Sequence, residues 1–318
     1  MDQVTMIDEQ RLREAGLSAD TLRAAARKDA GRWTSILQAK DPEALDRRAT
    51  TAARSLHLLL AELDQLPTKG WPGAEPLLEI RENPRMMHSA LSELRSVRRK
   101  LQRLPRALSE TPSGPREEPR AATVAESYLG AGNGVWNADT LRIYLAEWQK
   151  AEPLLLAELW VLPALLRFVL LEQILEQAEA RFQALTWHEN LPVVEGPAGA
   201  EEFARLMTAR IQSLREIAYV DWFFIIEPMV VFDSLLRQDP AEAYPKMDFD
   251  SREVYRKQVA RIARYSDCTE TDVARHALEL AQESMKRPIH DSRVYWRRAH
   301  VGYYLIDRGF DELQARIG

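Results

Sequence analysis

Cysteine is nearly absent from this chain, with Cys268 alone among 318 residues. One thiol excludes an intrachain disulfide framework and fits a reducing compartment. Glycine is scarce, at thirteen residues, and β-branched runs are few. With Leu, Ala, Glu and Arg dominant, that balance favours an all-α fold. The six histidines, His57, His88, His188, His276, His290 and His300, are scattered. They form no HExxH or CxxC-type spacing, so neither a metal nor a cofactor is expected. No Ser-His-Asp or Cys-His signature is present, and no catalytic residue is assigned. The opening MDQVTMIDEQRLREAGL lacks a basic-then-apolar secretory signal, which makes the cytoplasm the expected compartment.

Long uncharged apolar runs are also missing. Pro153–Leu175 carries Glu158, Arg167 and Glu172, and Tyr219–Leu236 carries Asp221, Glu227 and Asp233. A spanning helix needs ~20 mostly apolar residues, and each central charge costs roughly 2.5–3.5 kcal/mol. No membrane span is therefore expected. Both stretches read as buried central helices of a multi-helix bundle, with Trp222, Phe223, Phe224 and Phe232 in the core. Charge of one sign is lacking too: 43 Lys and Arg against 48 Asp and Glu leave −5. The first 120 residues are slightly basic and the rest acidic, and neither part reads as a nucleic-acid domain.

What is present is helical periodicity along almost the whole chain. Asp41-Pro42 opens an amphipathic run to about Asp64, with Leu56, Leu59, Leu60 and Leu63 on one face. Leu66–Pro76 reads as a loop. Asn83-Pro84 starts another helix, with Leu91, Leu94, Leu101 and Leu104 facing inward. SETPSGPREEPRAAT, residues 109–123, has the composition of a linker. The expected organisation is thus a helical segment over 1–108, a linker over 109–123 and a helical core domain over 124–318. TWHENLPVVEGPAGA, residues 186–200, reads as an irregular loop between helices.

Arg95, Arg98, Arg99, Lys100, Arg103 and Arg106 form a basic helix face, which suits an anionic partner or a solvated surface offset by nearby Glu. Gly130, Gly132 and Gly134 lack the strand, helix and Lys of a phosphate loop. They read as a helix C-terminus and a loop that ends at a cap on Asn137 or Asp139.

YPKMDFDSREVYRK (Tyr244–Lys257) is an unusual connector between two helical patterns. Asp239 can close the turn begun by Pro240, and Tyr244 and Pro245 end it. Met247 and Phe249, two apart on an extended backbone, point to one side as apolar anchors. Asp250 or Ser251 then caps the next helix. Arg252 pairs with Asp248 or lies against Tyr255. Tyr244, Met247, Asp248, Phe249, Asp250, Ser251, Arg252 and Tyr255 are thus a structural motif. Further on, Arg293, Tyr295, Trp296, Arg297, Arg298, His300, Tyr303 and Tyr304 gather aromatic rings among cations. Such a set can dock a neighbouring module or bind sugar.

The same stretches carry a resemblance. Asp221-Trp222, Phe224, Glu227, Asp239-Pro240, Tyr244, Met247-Asp248-Phe249, Ser251-Arg252, Tyr255-Arg256 and the run Arg297–Leu305 (RRAHVGYYL) are its landmarks. Together they resemble the N-terminal region of the cyclic β-1,2-glucan synthases. AELWVLPALLRFVLLE and ENPRMMHSALSELR resemble stretches upstream in that family, so the similarity spans roughly residues 75–318. The resemblance implies a large bacterial inner-membrane protein that builds β-1,2-glucan from UDP-glucose and closes it into a ring. None of the family's catalytic motifs lies in this region. The implied role is a non-catalytic domain on the cytoplasmic face, whose partners are the remaining synthase modules and β-1,2-glucan itself. A stand-alone carbohydrate-binding protein is the alternative. A glycan-active enzyme using Glu227, Asp248 or Asp250 is a further one.

Overall fold

The computed structural model describes residues 18–31, 34–36, 41, 43–65, 75–111, 114–187, 197–288 and 290–318. They divide into two compact units. One holds the described residues up to Glu152 together with Val161–Trp222, and the other holds Pro153–Trp160 with Phe223–Gly318. The fold is all-α, a multi-helix bundle, as composition predicts.

In chain order the first unit begins with α1 (Ala19–Ala30), β1 (Thr34–Ile36), α2 (Ala44–Leu63), α3 (Glu75–Glu82) and α4 (Pro84–Leu101). Strands β2 (Arg106–Thr111) and β3 (Gly114–Pro119) follow, then α5 (Arg120–Ala131) and α6 (Ala138–Trp148). Helix α7 (Leu156–Leu159) belongs to the second unit, and α8 (Leu162–Trp187) and α9 (Pro197–Tyr219) return to the first. Helix α8 is the centre of this unit and packs against α2, α4, α5 and α9. It is buried on nearly every side over its first half, where Leu165, Leu166, Phe168, Leu170 and Leu171 are fully buried and the charged Arg167 is buried with them. That is why it carries no single hydrophobic stripe. Among the described residues, no helix is long and apolar enough to cross a membrane.

Local signals place the helix ends. Ser18 and Thr21 form a reciprocal cap on α1, and Pro84 occupies the first position of α4. The glycine segment does end a helix. Asn133 and Gly134 turn left-handed after α5, and the Asn137 side chain accepts from the Asp139 and Thr140 N–H groups to start α6. Gly134 is required by its φ of 75° and by close approach. A Cβ there would lie 2.2 Å from Nε of Arg210.

Two expectations need correction. Where it is described, the stretch read as a linker is ordered structure. β2 and β3 pair antiparallel from Arg106↔Pro119 to Thr111↔Gly114, β1 pairs with β2, and the start of α5 is buried. Pro115 and Pro119 sit on the edge strand β3, where a missing N–H is tolerated. Glu117 and Glu118 are matched by cations outside the stretch. Arg106 donates to Glu117 and to the Asp41 carbonyl, and Arg48 donates to Glu118 at 2.5 and 2.7 Å. Arg106 is therefore a buried strand residue and not part of the basic helix face, whereas Arg98 on that face pairs with Asp46. The second correction concerns the two apolar stretches: Pro153–Leu175 is divided between α7 and α8, and Tyr219–Leu236 is not one buried helix either. It breaks into α10 (Trp222–Ile226), a 3₁₀ turn (Glu227–Met229) and α11 (Asp233–Leu236). Phe223 and Phe224 are exposed, while Phe232 is buried. The loop expected over 186–200 lies largely outside the described residues.

The second unit is completed by a 3₁₀ turn at Tyr244–Lys246 and by α12 (Phe249–Arg264), α13 (Glu270–Met285), α14 (Ser292–Arg298), α15 (Val301–Ile306) and α16 (Phe310–Ile317). Helix α13 is its hub and touches α11, α12, α14, α15 and α16. Val273, Ala274, Ala277 and Ala281 are fully buried on it. The small side chains let neighbouring helices approach closely.

Candidate functional site

The connector quoted above organises a buried polar network in the second unit. Asp248, and not Asp250 or Ser251, is the N-cap of α12. Its carboxylate accepts from the Ser251 N–H at 2.8 Å and the Ser251 hydroxyl at 2.9 Å. Phe249 is already the first helical residue, so Met247 and Phe249 do not share an extended strand. Asp250 lies exposed in the first turn, where the helix dipole favours its charge. The Arg252 side chain is not the partner of the Asp248 carboxylate. It donates to Glu227 at 2.7 Å and to the Met247 carbonyl.

Below this cap lies Arg256, one turn further along α12 and only 1% exposed. Its guanidinium donates to Asp233 at 2.8 Å and to Glu227, and it lies over the Phe249 ring at 5.4 Å. Asp233 also accepts from the Tyr244 hydroxyl at 2.5 Å and from Arg237 at 2.6 Å. Burial alone would push both carboxyls up. The guanidinium bonds reverse that and hold Glu227 and Asp233 below their usual range. The Tyr244 phenol moves the other way, raised by burial and then by Asp233.

Asp239 is the second node. It accepts from the N–H groups of Ala243 and Tyr244 at 2.9 and 3.0 Å, from the Val301 N–H at 2.9 Å and from His300 Nδ1 at 2.8 Å. Burial raises its carboxyl, but the His300 and backbone donors outweigh burial and leave it lowered. Because an ionised carboxylate only accepts, His300 donates from Nδ1, and its Nε2 lies 3.2 Å from the Tyr255 hydroxyl. Gly302 makes room for this corner, since a Cβ there would lie 2.4 Å from Cε1 of Tyr255.

The aromatic and cationic set near the C-terminal end splits in two. His300 and Tyr304 belong to the interior. Arg297 is held by Asp307 through two bonds of 2.8 Å, Arg298 by Glu312, and both guanidinium groups face the Tyr303 ring. Arg293, Val294 and Trp296 remain exposed on α14, a helix with no buried residue, and Tyr295 meets Trp296 edge-on at 5.4 Å.

Sequence reasoning noted Asp233 as a charge in an apolar run and Arg256 as a landmark but missed that they pair. A signal was available: a charge inside an apolar run, as in VVFDSLL, must find a partner or pay its desolvation. A second missed feature is a carboxyl pair. Glu158 is fully buried and caps Leu155 at 2.9 Å, and Glu270 accepts from Leu156 N–H at 2.9 Å. Chemically, the network offers carboxylates held ionised with their lone pairs occupied by guanidinium and N–H donors. Such groups brace a structure and are poorly placed to abstract protons. Among the described residues, no group of three or more His, Cys, Asp or Glu could hold a metal ion.

The first unit carries a comparable node beside a cleft of about 810 Å³ bounded by α2, α8 and the hairpin. Arg48 bonds Glu118, Glu126 and Glu172, each at 2.5 Å. Burial is the leading cause that raises Glu118 and Glu172, with Arg48 opposing it.

No protein-family profile matches the chain. The chain is similar to the cyclic beta-(1,2)-glucan synthase NdvB of Rhizobium meliloti (strain 1021), at 31% identity over 112 residues. That segment is 35% of this chain and 4% of the relative. The similarity marks a distant relationship to a glucan synthase.

Proposed function

We propose that this chain is a non-catalytic helical module of a cyclic β-1,2-glucan synthase-like glycosyltransferase, placed at the cytoplasmic face of a bacterial inner membrane. It organises the transferase or holds the growing glucan. One observation carries the reading: the residues that resemble that family coincide with a structural network. Glu227, Asp239, Tyr244, Asp248, Arg252 and Arg256 all bond to one another's elements, and α14 stands exposed beside them. A rigid scaffold that presents one exposed helix suits docking better than turnover. Arg293, Tyr295 and Trp296 are the docking residues, because Arg297 and Arg298 already have acidic partners in the same unit. The test is co-purification of this module with the transferase-bearing remainder of a synthase. Trp296→Ala with Arg293→Ala should cut recovery at least tenfold while circular dichroism stays unchanged. Undiminished recovery refutes the docking role.

The exposed Trp296 and its edge contact with Tyr295 favour a second reading, a carbohydrate-binding protein that acts alone. In that case linear β-1,2-glucan quenches or shifts tryptophan emission saturably, and Trp296→Ala abolishes the change. No response at millimolar glucan removes this reading.

A further inference from the structure

A pocket of about 610 Å³ opens in the first unit where the start of α4 meets α8 and the end of α9. Three guanidinium groups line it, from Arg85, Arg167 and Arg215, against the single carboxylate of Glu82. They come from three different helices, which fixes their convergence through the core and not through one flexible segment. Arg167 is only 6% exposed. Glu93 holds its Nη1, and the Ser89 hydroxyl accepts from its Nη2 at 2.5 Å. Its Nε–H is buried without an acceptor among the described residues. Arg215 is tied at one edge to Glu79 at 3.0 Å, and Arg85 has no ion pair among the described residues.

The positive end of α4 points to the same place. This 18-residue helix has no acid in its first turn. Asn83 sits at the capping position, but its side chain accepts no helix N–H. Its amide instead donates back to the Glu79 carbonyl at 2.9 Å. The partial charge of about +0.5 at the helix start therefore has no capping side chain, and Glu82 is the one carboxylate lining the pocket beside it. At the rim stands Tyr219, 85% exposed.

We propose that this pocket is a binding site for a phosphoryl group. Planar guanidinium groups match phosphate oxygens in bidentate fashion, and a helix start supplies further N–H donors. Its volume exceeds what phosphate alone fills, which leaves room for an attached organic portion beside Tyr219. A free phosphorylated molecule and a phospholipid headgroup share this chemistry.

Two arms of one experiment separate those sources. Pyrophosphate is titrated calorimetrically at fixed ionic strength, and the protein is floated with phosphatidylglycerol or phosphatidylcholine vesicles. Saturable pyrophosphate binding, weakened at least tenfold by Arg85→Ala with Arg215→Ala, supports a free ligand. Flotation with phosphatidylglycerol alone, lost in the same variant, supports a headgroup. Both substituted side chains are exposed, so folding should survive, and circular dichroism checks it. Arg95→Ala with Arg99→Ala, on the exposed basic face of the same helix, is the control. An equal loss in that control, or no binding in either arm, overturns the proposal.

Discussion

Replacing Glu270 by Gln should make the second unit more stable at pH 8 and leave it unchanged near pH 4.5. Glu270 is 6% exposed, and its carboxylate accepts the Leu156 N–H beside the fully buried Glu158. Burial pushes its carboxyl up to about 7. The Leu156 bond opposes this and the neighbouring Glu158 charge adds to it. The unfolded chain protonates the same group near 4.5. Between these values the folded state binds more protons than the unfolded one. The group's contribution is therefore fully present below pH 4.5 and is lost as pH rises through about 7. At ~1.36 kcal/mol per unit, the loss above pH 7 approaches about 3 kcal/mol.

Glutamine keeps the volume and a carbonyl for the Leu156 N–H but cannot ionise. The gain of Glu270→Gln over wild type should grow from near zero at pH 4.5 to about 3 kcal/mol at pH 8. Urea unfolding at several pH values, followed by circular dichroism, measures the difference. Hydrogen exchange of α13 amides reports the second unit separately. A difference that stays flat with pH, or a variant weaker than wild type at pH 8, refutes the reasoning.

Other substitutions probe the remaining nodes. Asp239→Ala strips the acceptor from three backbone N–H groups and His300; it should cost about 3–5 kcal/mol, and a guanidinium midpoint shift worth under ~1 kcal/mol would contradict that. Because the carboxyls of Asp239, Asp233 and Glu227 are held below the ordinary carboxylate range, the stability they supply persists at neutral pH. It disappears as acid protonates them, so acid unfolding of wild type should be steeper than that of a Glu227→Gln variant. Arg256→Met removes the buried guanidinium that Asp233 and Glu227 share and leaves them only the more exposed Arg237 and Arg252; it should cost about 3 kcal/mol, whereas adding Asp233→Leu should recover part of it, and strict additivity in that double-mutant cycle would show the pair is not coupled. Gly134→Ala places a Cβ against Arg210 at a left-handed residue and should lower the melting temperature by the equivalent of about 1–3 kcal/mol.

Features set by neighbours in the chain were legible in the sequence, and features set by distant partners were not. The all-α class follows from composition, α8 from an apolar run too charged for a membrane, and the start of α4 from Asn83-Pro84. The turn at Gly134 and the cap at Asn137 follow from residue type within four positions. Asp239 closing its own turn belongs to the same category, with its acceptors filled by Ala243 and Tyr244. The cap of α12 shows how narrow the margin is. Asp248, Asp250 and Ser251 can all cap, and the position is settled by Arg252, which is drawn to Glu227 twenty-five residues back.

The stretch 109–123 failed for the opposite reason. Its Pro, Gly, Ser and Glu content is that of a linker, and a local window sees nothing else. Yet Glu118 meets Arg48 seventy residues away, and Glu117 meets Arg106 across the hairpin. Once those charges are matched, the desolvation that composition counts against burial is offset. Tyr219–Leu236 makes the same point from the other side. Glu227 and Asp233 interrupt an apolar run, and both are drawn to Arg256, a buried cation in an otherwise polar helix. A charge inside an apolar run and a surplus cation in a polar helix are halves of one signal. Neither half can be placed alone, because the pairing is a property of the fold. What the sequence does show is that each such charge must have a partner, and this is the observation that points to the scaffold beneath α14.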